Sequence, residues 1–367
     1  MQKIIRSVGI GFVLGLWAAL ILLAWCLPNR ELSIWERRPL QQRPALSAQA
    51  VLNGEFMEKF EAYTLDQFPM RDSFRTLKSL FSYGVLGQKD NNGIYIEDGY
   101  AAKLEYPVNT PSVNHALKKL NAIYEQYLQD TGSEIYMAVV PDKGYYLAEE
   151  KGYPAMDYAA LFARMAEGMP WAKPVDITGE LDITDYYRTD THWRQERLLP
   201  AAEILCKAMG AEFPNQADFT PVPVSQRFYG VYYGQAALPM QPDTLTVMES
   251  ALLKNCKVYN HETQKYQPVY DLGKLTSPDL YEVYLSGAQA LLTIENPSGH
   301  TDRELIVFRD SFGSALAPLL MQGYRRVTLV DIRYVSSAVL HEYLTFHGQD
   351  VLFVYSTLIL NNSSSLK

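Results

Sequence analysis

The stretch ELIVFRDSFGSALAPLLMQGYRRVTLVDIRYVSSAVLHEYLTFHGQDVLFVY, residues 304–355, sets the fold class. It reads as a strand at 304–308, a helix at 312–321, a strand at 326–330, a helix at 337–346 and a strand at 350–355. Strands alternating with helices of this length imply a mostly parallel sheet covered on both faces. Working upstream, a helix begins at Pro111 and carries Val113, Leu117, Leu120, Ile123, Tyr124 and Tyr127 at helical spacing, with Gly132 just past its end. A buried strand at 134–140 follows, then a helix at 158–167, a short strand at 175–177 and a helix at 195–209. The segment 222–297 differs: strand-like runs at 246–259, 281–285 and 290–294 are separated by turns, and it reads as a β-rich insertion or subdomain. Nearer the start, 87–103 reads as a short hairpin around Gly93 and Asp98-Gly99, and helical periodicity marks 51–63 and 71–83.

The N-terminus decides the compartment. Lys3 and Arg6 precede an uninterrupted apolar run from Val8 to Leu27. At about 1.5 Å per residue it spans roughly 30 Å, the thickness of a bilayer core. Trp17 and Trp25 suit a span with one end at the interface. The rival, a cleaved signal peptide, would have a shorter apolar core and a small-x-small cleavage site. Here the run ends in Trp25-Cys26-Leu27-Pro28-Asn29-Arg30, and the bulky Trp25 also argues against a lipoprotein cysteine at Cys26. The expectation is therefore a cytoplasmic N-terminus at 1–7, an uncleaved transmembrane anchor at 8–27, a stalk rich in Arg, Gln and Pro at 28–50, and an extracytoplasmic α/β domain at 51–360.

Composition narrows the function. The chain has 367 residues, 48% hydrophobic and 20% charged, which excludes a disordered chain. A net charge of -8 argues against a nucleic-acid binder working through a basic face. The three cysteines, Cys26, Cys206 and Cys256, are too few for a disulfide scaffold and lack zinc-site spacing. Cys206 and Cys256 either pair or lie as separate buried thiols. No metal or cofactor is expected.

In open α/β sheets, sites form at the carboxyl ends of strands. Two places combine that position with reactive side chains. One is Phe308-Arg309-Asp310-Ser311-Phe312-Gly313-Ser314, where Ser311 lies between a strand end and a helix start. The other is Tyr187-Arg188-Thr189-Asp190-Thr191-His192-Trp193. Read separately, Asp310, Ser311 and Asp190 suit helix N-caps, and His192 an ordinary first-turn residue. Read together, a Ser nucleophile needs a base, and the base needs an acceptor that fixes its tautomer. Of the six histidines, only His192 has an acid two residues away on such a loop. A glycosidase pair drawn from Asp142, Asp185 and Glu196 has no spacing to single it out.

The pairing of Thr-Asp-Thr-His-Trp at 189–193 with Phe-Arg-Asp-Ser-Phe at 308–312 resembles the DHHW proteins, which are similar to alginate O-acetylation proteins with an SGNH-hydrolase-like domain. The stretches Gln67-Phe68-Pro69-Met70-Arg71-Asp72, Asn91-Asn92-Gly93-Ile94-Tyr95, Val140-Pro141-Asp142-Lys143 and Val330-Asp331-Ile332-Arg333-Tyr334 agree. The resemblance covers about 55–355. It implies a flavodoxin-like three-layer α/β sandwich of the SGNH kind, with Ser311 as nucleophile, His192 as base and Asp190 as its orienter. Two positions depart from the pattern. Arg309 stands where ordinary SGNH esterases have Gly, and Ala288 stands where an Asn is expected in Leu285-Ser286-Gly287-Ala288-Gln289. The Ser311 and Gly313 N–H groups, the Gln289 amide or Tyr334 are then the candidate oxyanion donors, and Arg333, Tyr334 and Arg309 the candidate cleft residues.

The resemblance implies a membrane-anchored O-acetyltransferase or acetylesterase acting on a cell-surface polysaccharide through an acyl-Ser intermediate. A membrane-bound O-acyltransferase would be the acetyl donor, since acetyl-CoA is not expected outside the cell. The alternative is a catalytically inactive polysaccharide-binding or assembly protein of an exopolysaccharide secretion complex, in which Ser311, His192 and Asp190 lie apart.

Overall fold

The computed structural model describes residues 2–213, 215–297 and 300–367. The chain divides into two compact units, Met1–Asn91 with Gly234–Pro239, and Asn92–Tyr233 with Met240–Lys367.

The first unit is helical. Helix α1 is Gln2–Cys26, and its segment Arg6–Cys26 is long and apolar enough to cross a bilayer. Helix α2, Ala48–Leu52, is capped by the Ser47 hydroxyl, and Gly54 at φ 83° separates it from α3, Glu55–Asp66. The single helix expected at 51–63 is therefore two, because only Gly tolerates that turn without strain. Helix α4, Arg71–Gly84, follows. Ion pairs knit the unit together: Arg38 and Arg71 reach Asp66, while Arg71 and Arg75 reach Glu36. Burial works against the Glu36 charge, but Arg71 and Arg75 hold its carboxyl below the usual range.

The second unit is a mixed α/β fold around one large sheet. In chain order the strands of that sheet are β1 (Ile135–Val140), β2 (Lys173–Pro174), β3 (Lys257–Asn260), β4 (Lys265–Gln267), β5 (Leu291–Glu295), β6 (Glu304–Arg309), β7 (Arg326–Val330) and β8 (Asp350–Ser356). Among the described residues they lie in the order β4-β3-β5-β7-β6-β8-β1-β2. The pairs from β7 through β6, β8 and β1 to β2 are parallel, and β5, β3 and β4 extend the sheet antiparallel beyond β7.

Alternating side chains feed two cores. Leu305, Val307, Leu352, Val354 and Ala138 point to one face and join Trp193, Leu199, Leu205, Phe312 and Leu319. Ile306, Phe308, Val351, Phe353 and Met137 point to the other and join helices α5 (Thr110–Ile123) and α6 (Tyr158–Gly168) through Leu120, Ile123, Leu161 and Met165. The Asn109 side chain caps α5 and the Asp157 side chain caps α6. Helix α7, Leu199–Ala208, lies on the Trp193 face.

Several expected elements differ. The strand expected at 175–177 is β2, at Lys173–Pro174. The run expected as one strand at 246–259 is a strand, Asp243–Glu249, a short helix, Ala251–Asn255, and β3, because the Ser250 side chain caps the helix between them. Residues 281–285 are not a strand but a 3-10 turn, Leu280–Val283, ending in positive φ at Leu285, Ser286 and Gly287. The helix expected at 337–346 is a 3-10 segment, Ser337–Glu342. Much of 222–297 joins the main sheet as β3, β4 and β5, while Thr220–Phe228 and Asp243–Glu249 form a separate antiparallel pair. Cys206 and Cys256 are free, buried thiols.

Leu352 is fully buried in the middle of β8. Leu352→Ala is expected to lower stability by about 2–5 kcal/mol, read as a lower urea midpoint at unchanged slope.

Candidate active site

The carboxyl ends of β6, β8 and β1 are laced together by buried carboxylates. Asp310 follows β6. Its carboxylate accepts the Phe312 N–H at 2.9 Å and the Ser356 N–H at 2.8 Å. Asp142 follows β1, accepts the Thr357 hydroxyl at 2.6 Å and the Gly144 N–H at 2.7 Å, and so ties β1 to the end of β8. Because Asp310 pairs the local amide, the Ser311 hydroxyl is left to face elsewhere.

It faces His192. The Ser311 Oγ lies 2.8 Å from His192 Nε2, and His192 Nδ1 lies 2.6 Å from Asp190 Oδ1. The short Nδ1 contact to a carboxylate puts the imidazole proton on Nδ1 and leaves Nε2 to accept from Ser311. Asp190 is fully buried, and its other oxygen accepts the Val231 N–H at 2.9 Å. His192 is buried, with its ring stacked 3.8 Å from the Tyr281 ring and 5.0 Å from Phe312, whereas Ser311 is only half-buried. Ser311 is thus the least enclosed of the three residues.

The loop carrying Asp190 and His192 is pinned on all sides. Tyr187 N–H donates to the His192 carbonyl at 3.0 Å, closing the loop on itself. The Asp243 carboxylate accepts the N–H groups of Arg188 and Thr189 at 2.9 and 2.8 Å and the Thr189 hydroxyl at 2.6 Å. Lys143, buried after β1, donates from Nζ to the carbonyls of Tyr187 at 2.9 Å and Arg188 at 3.3 Å. Two side chains join the loop to the Ser311 segment: Trp193 Nε1 donates to the Phe312 carbonyl at 3.0 Å, and Gln195 Nε2 to the Ala315 carbonyl at 2.8 Å. Lys143, Trp193, Gln195, Asp243 and Tyr281 were not singled out by sequence reasoning. Lys143 and Trp193 lie inside stretches that signalled the family, but Asp243, Gln195 and Tyr281 carry no local signal.

The remaining candidates fall differently. The Gln289 amide accepts from Asn260 at 2.7 Å and donates to the Ser286 carbonyl at 3.1 Å, so it is engaged away from Ser311. The Gly313 N–H donates to the Asp310 carbonyl at 3.2 Å within the turn. The Ser311 N–H has no acceptor among the described residues. Arg309 is buried against Asp331 at 3.3 Å and donates to the Gln289 carbonyl at 3.4 Å. Burial pushes its guanidinium down, and Asp331 opposes that. Arg333 binds Asp331 through two nitrogens at 2.8 and 2.6 Å. Arg309 and Arg333 therefore form a buried charged cluster rather than free cleft cations. Tyr334 is about half exposed, and the Arg333 guanidinium lies 5.4 Å from its ring. Gly313 is required: a Cβ there would meet the Arg309 Cβ at 2.7 Å.

The family model described as DHHW protein matches residues 180–330, the stretch holding Asp190, His192 and Ser311. The fold is similar to that of a DHHW family protein from Eubacterium siraeum, with TM-score 0.59 and 22% identity over 75% of this chain and 95% of that one. It is also similar to PatB1 from Bacillus cereus, in a structure with a sulfonyl adduct, with TM-score 0.55 and 18% identity over 73% of this chain and 95% of that one. The O-acetyltransferase domain of Pseudomonas putida AlgJ resembles it at TM-score 0.46 and 15% identity, over 73% of this chain and 92% of that one. No curated protein matches the chain. The resemblance to the DHHW proteins read from the sequence is shown, and the first two likenesses establish a shared fold.

Two outcomes test this arrangement. A Cβ at Gly230 would lie 2.2 Å from the Asp190 Cβ and 2.3 Å from its Cα. Gly230→Ala is expected to destabilise the protein by about 1–3 kcal/mol, measured by urea unfolding. Burial pushes the Lys143 ammonium down to about 7 from its usual 10.5, against the pull of Asp190, Asp243 and Asp142. As pH rises through 7, the folded protein sheds this proton while the unfolded chain keeps it, so stability rises. Above about pH 9, the buried Cys206 and Cys256 thiols, pushed up to about 12, act in the opposite sense. Between about pH 6.5 and 8.5 the urea midpoint of the native protein is expected to climb, by a component that Lys143→Met abolishes.

Proposed function

We propose that this chain is a membrane-anchored, extracytoplasmic O-acetyltransferase or acetylesterase acting on a cell-surface polysaccharide, with Ser311 as nucleophile, His192 as base and Asp190 as its orienter. The observation that carries this reading is the relay itself: Oγ to Nε2 at 2.8 Å and Nδ1 to carboxylate at 2.6 Å, with Ser311 at the carboxyl end of a parallel strand and only half-buried. The two-faced sheet, and its likeness to the Eubacterium siraeum and Bacillus cereus structures, support the SGNH-hydrolase-like reading of the fold. The apolar α1 supports the anchor.

In this reading Ser311 Oγ attacks the acetyl carbonyl while its proton passes to His192 Nε2. Asp190 stabilises the imidazolium that forms. The tetrahedral oxyanion lies against the Ser311 N–H, and a second donor becomes available if the Gly313 N–H turns from the Asp310 carbonyl. Collapse returns the proton from Nε2 to the leaving oxygen and leaves an acetyl-Ser. A sugar hydroxyl, or water in the esterase case, then gives its proton to Nε2 and attacks the acyl carbon, and collapse breaks the acyl–Oγ bond and returns that proton to Ser311. A membrane-bound O-acyltransferase supplies the acetyl group. An inactive binding module has no use for these three side chains held in one line, so the distances weigh against it.

The full chain is expected to hydrolyse a chromogenic acetyl ester and to take up one sulfonyl group from a sulfonyl fluoride. Ser311→Ala and His192→Ala should each lower turnover by about 1,000-fold or more, and Ser311→Ala should abolish the adduct in the intact-mass spectrum. Turnover indifferent to Ser311 would sink the assignment.

A further inference from the structure

The first unit contains a helix packed inside out. A surface helix normally buries its apolar stripe and shows water its polar one. Helix α4 does the reverse. Its polar side is inside: Ser79 is fully buried and donates to the Ala236 carbonyl at 3.0 Å, Ser82 is buried, and Arg75 donates to the Gly234 carbonyl at 2.9 Å while pairing with Glu36. Its apolar side is outside. Met70, Phe74, Leu77, Phe81 and Val85 recur at three- and four-residue spacing along one stripe, and Leu77 and Val85 keep 62% and 67% of their surface exposed. On α3, Met57 and Leu65 are likewise exposed while Asp66 is buried.

The chain itself says what covers this stripe. The start of α4 is held next to the end of α1. Arg30 N–H donates to Gln67 Oε1 and its carbonyl accepts from Gln67 Nε2, both at 2.9 Å, and its guanidinium reaches Asp72 at 3.2 Å. Asn29 accepts from the Tyr63 hydroxyl at 3.1 Å. Arg30 lies four residues beyond Cys26, so the fastening point is at most about 14 Å from the end of the apolar helix. That distance is comparable to the polar headgroup zone flanking a bilayer core. A hollow of about 570 Å³ continues the apolar surface from Trp17, Ile21 and Trp25 of α1 to Phe60 and Phe68.

We infer that α4, with the outward side of α3, lies in the outer face of the same bilayer that α1 spans, as a second and interfacial membrane contact. This inference rests on the anchor reading of α1. An apolar stripe exposed beside a membrane span is buried by the acyl-chain boundary, and the buried polar side pairs within the protein. The first unit is thereby held flat on the membrane rather than swinging on a flexible stalk.

The test uses the full chain in phosphatidylcholine vesicles containing a lipid with a photoactivatable diazirine in its acyl chain. Lipid adducts are mapped by mass spectrometry after proteolysis. Adducts are expected on α1 and on peptides spanning 70–86, above the level of a sample irradiated without the diazirine lipid. The Leu77→Glu/Phe81→Glu variant, changed only on the outward stripe, should lose the α4 adducts and keep those on α1. Labelling of α1 with α4 at that background level would overturn the inference, leave the anchor intact and point to a protein covering the stripe. Absence of adducts on both would overturn the anchor as well.

Discussion

A loop sunk into a protein interior survives only if its own N–H and C=O groups find partners. The segment that carries Asp190 and His192 depends on this constraint, and much of the second unit is arranged to meet it. A carboxylate, Asp243, takes two of its amides; an ammonium, Lys143, takes two of its carbonyls. Both are buried ionic groups, which are tolerated where hydrogen bonds replace the lost water. Trp193 and Gln195 then carry the same bonding into the Ser311 segment. The imidazole is consequently placed by the backbone around it and by Tyr281 against its face, with little freedom left in its own torsions.

The Ser311 turn solves a competition that short polar residues create. Asp and Ser at a strand-to-helix junction both tend to bond the free amides there. Asp310 takes that role and also reaches Ser356 on the neighbouring strand. The serine hydroxyl is thus released from structural duty. Beneath it the Arg309, Asp331 and Arg333 charges are paired among themselves, and the absent side chain of Gly313 makes room for Arg309. Burial of Arg309 is possible because Asp331 lies beside it, and removing Asp331 would leave the guanidinium charged and desolvated.

The two units bury their side chains by opposite rules. In the second, apolar side chains fill both faces of the sheet, and the buried carboxylates Asp310 and Asp142 sit at strand ends. In the first, arginines, carboxylates and serines are knitted inside while a line of large apolar residues faces out. Under the membrane contact inferred above, each arrangement suits its own solvent. Water drives apolar groups inward, whereas an apolar medium offers no partner to a polar group and leaves it to pair within the protein.

Local order was legible in the sequence. The alternation at 304–355 specified parallel strands because short apolar runs separated by helical segments have few other ways to bury themselves. Pro111 and the spacing from Val113 to Ile123 marked a helix, and the length of the run from Val8 set its capacity to span a bilayer. Asp190, His192 and Ser311 read singly as helix caps or first-turn residues, and it was the resemblance to the DHHW proteins that joined them. Tertiary structure alone decided the rest. It closed the 119-position separation of His192 and Ser311 to 2.8 Å, turned the Gln289 amide away toward Asn260, made a 3-10 turn of 280–283, and carried β3, β4 and β5 into the main sheet. The physical reason is one of range. Periodicity and capping are settled by neighbours within a few residues, whereas the face a side chain presents and the partner it meets depend on pairings made far along the chain.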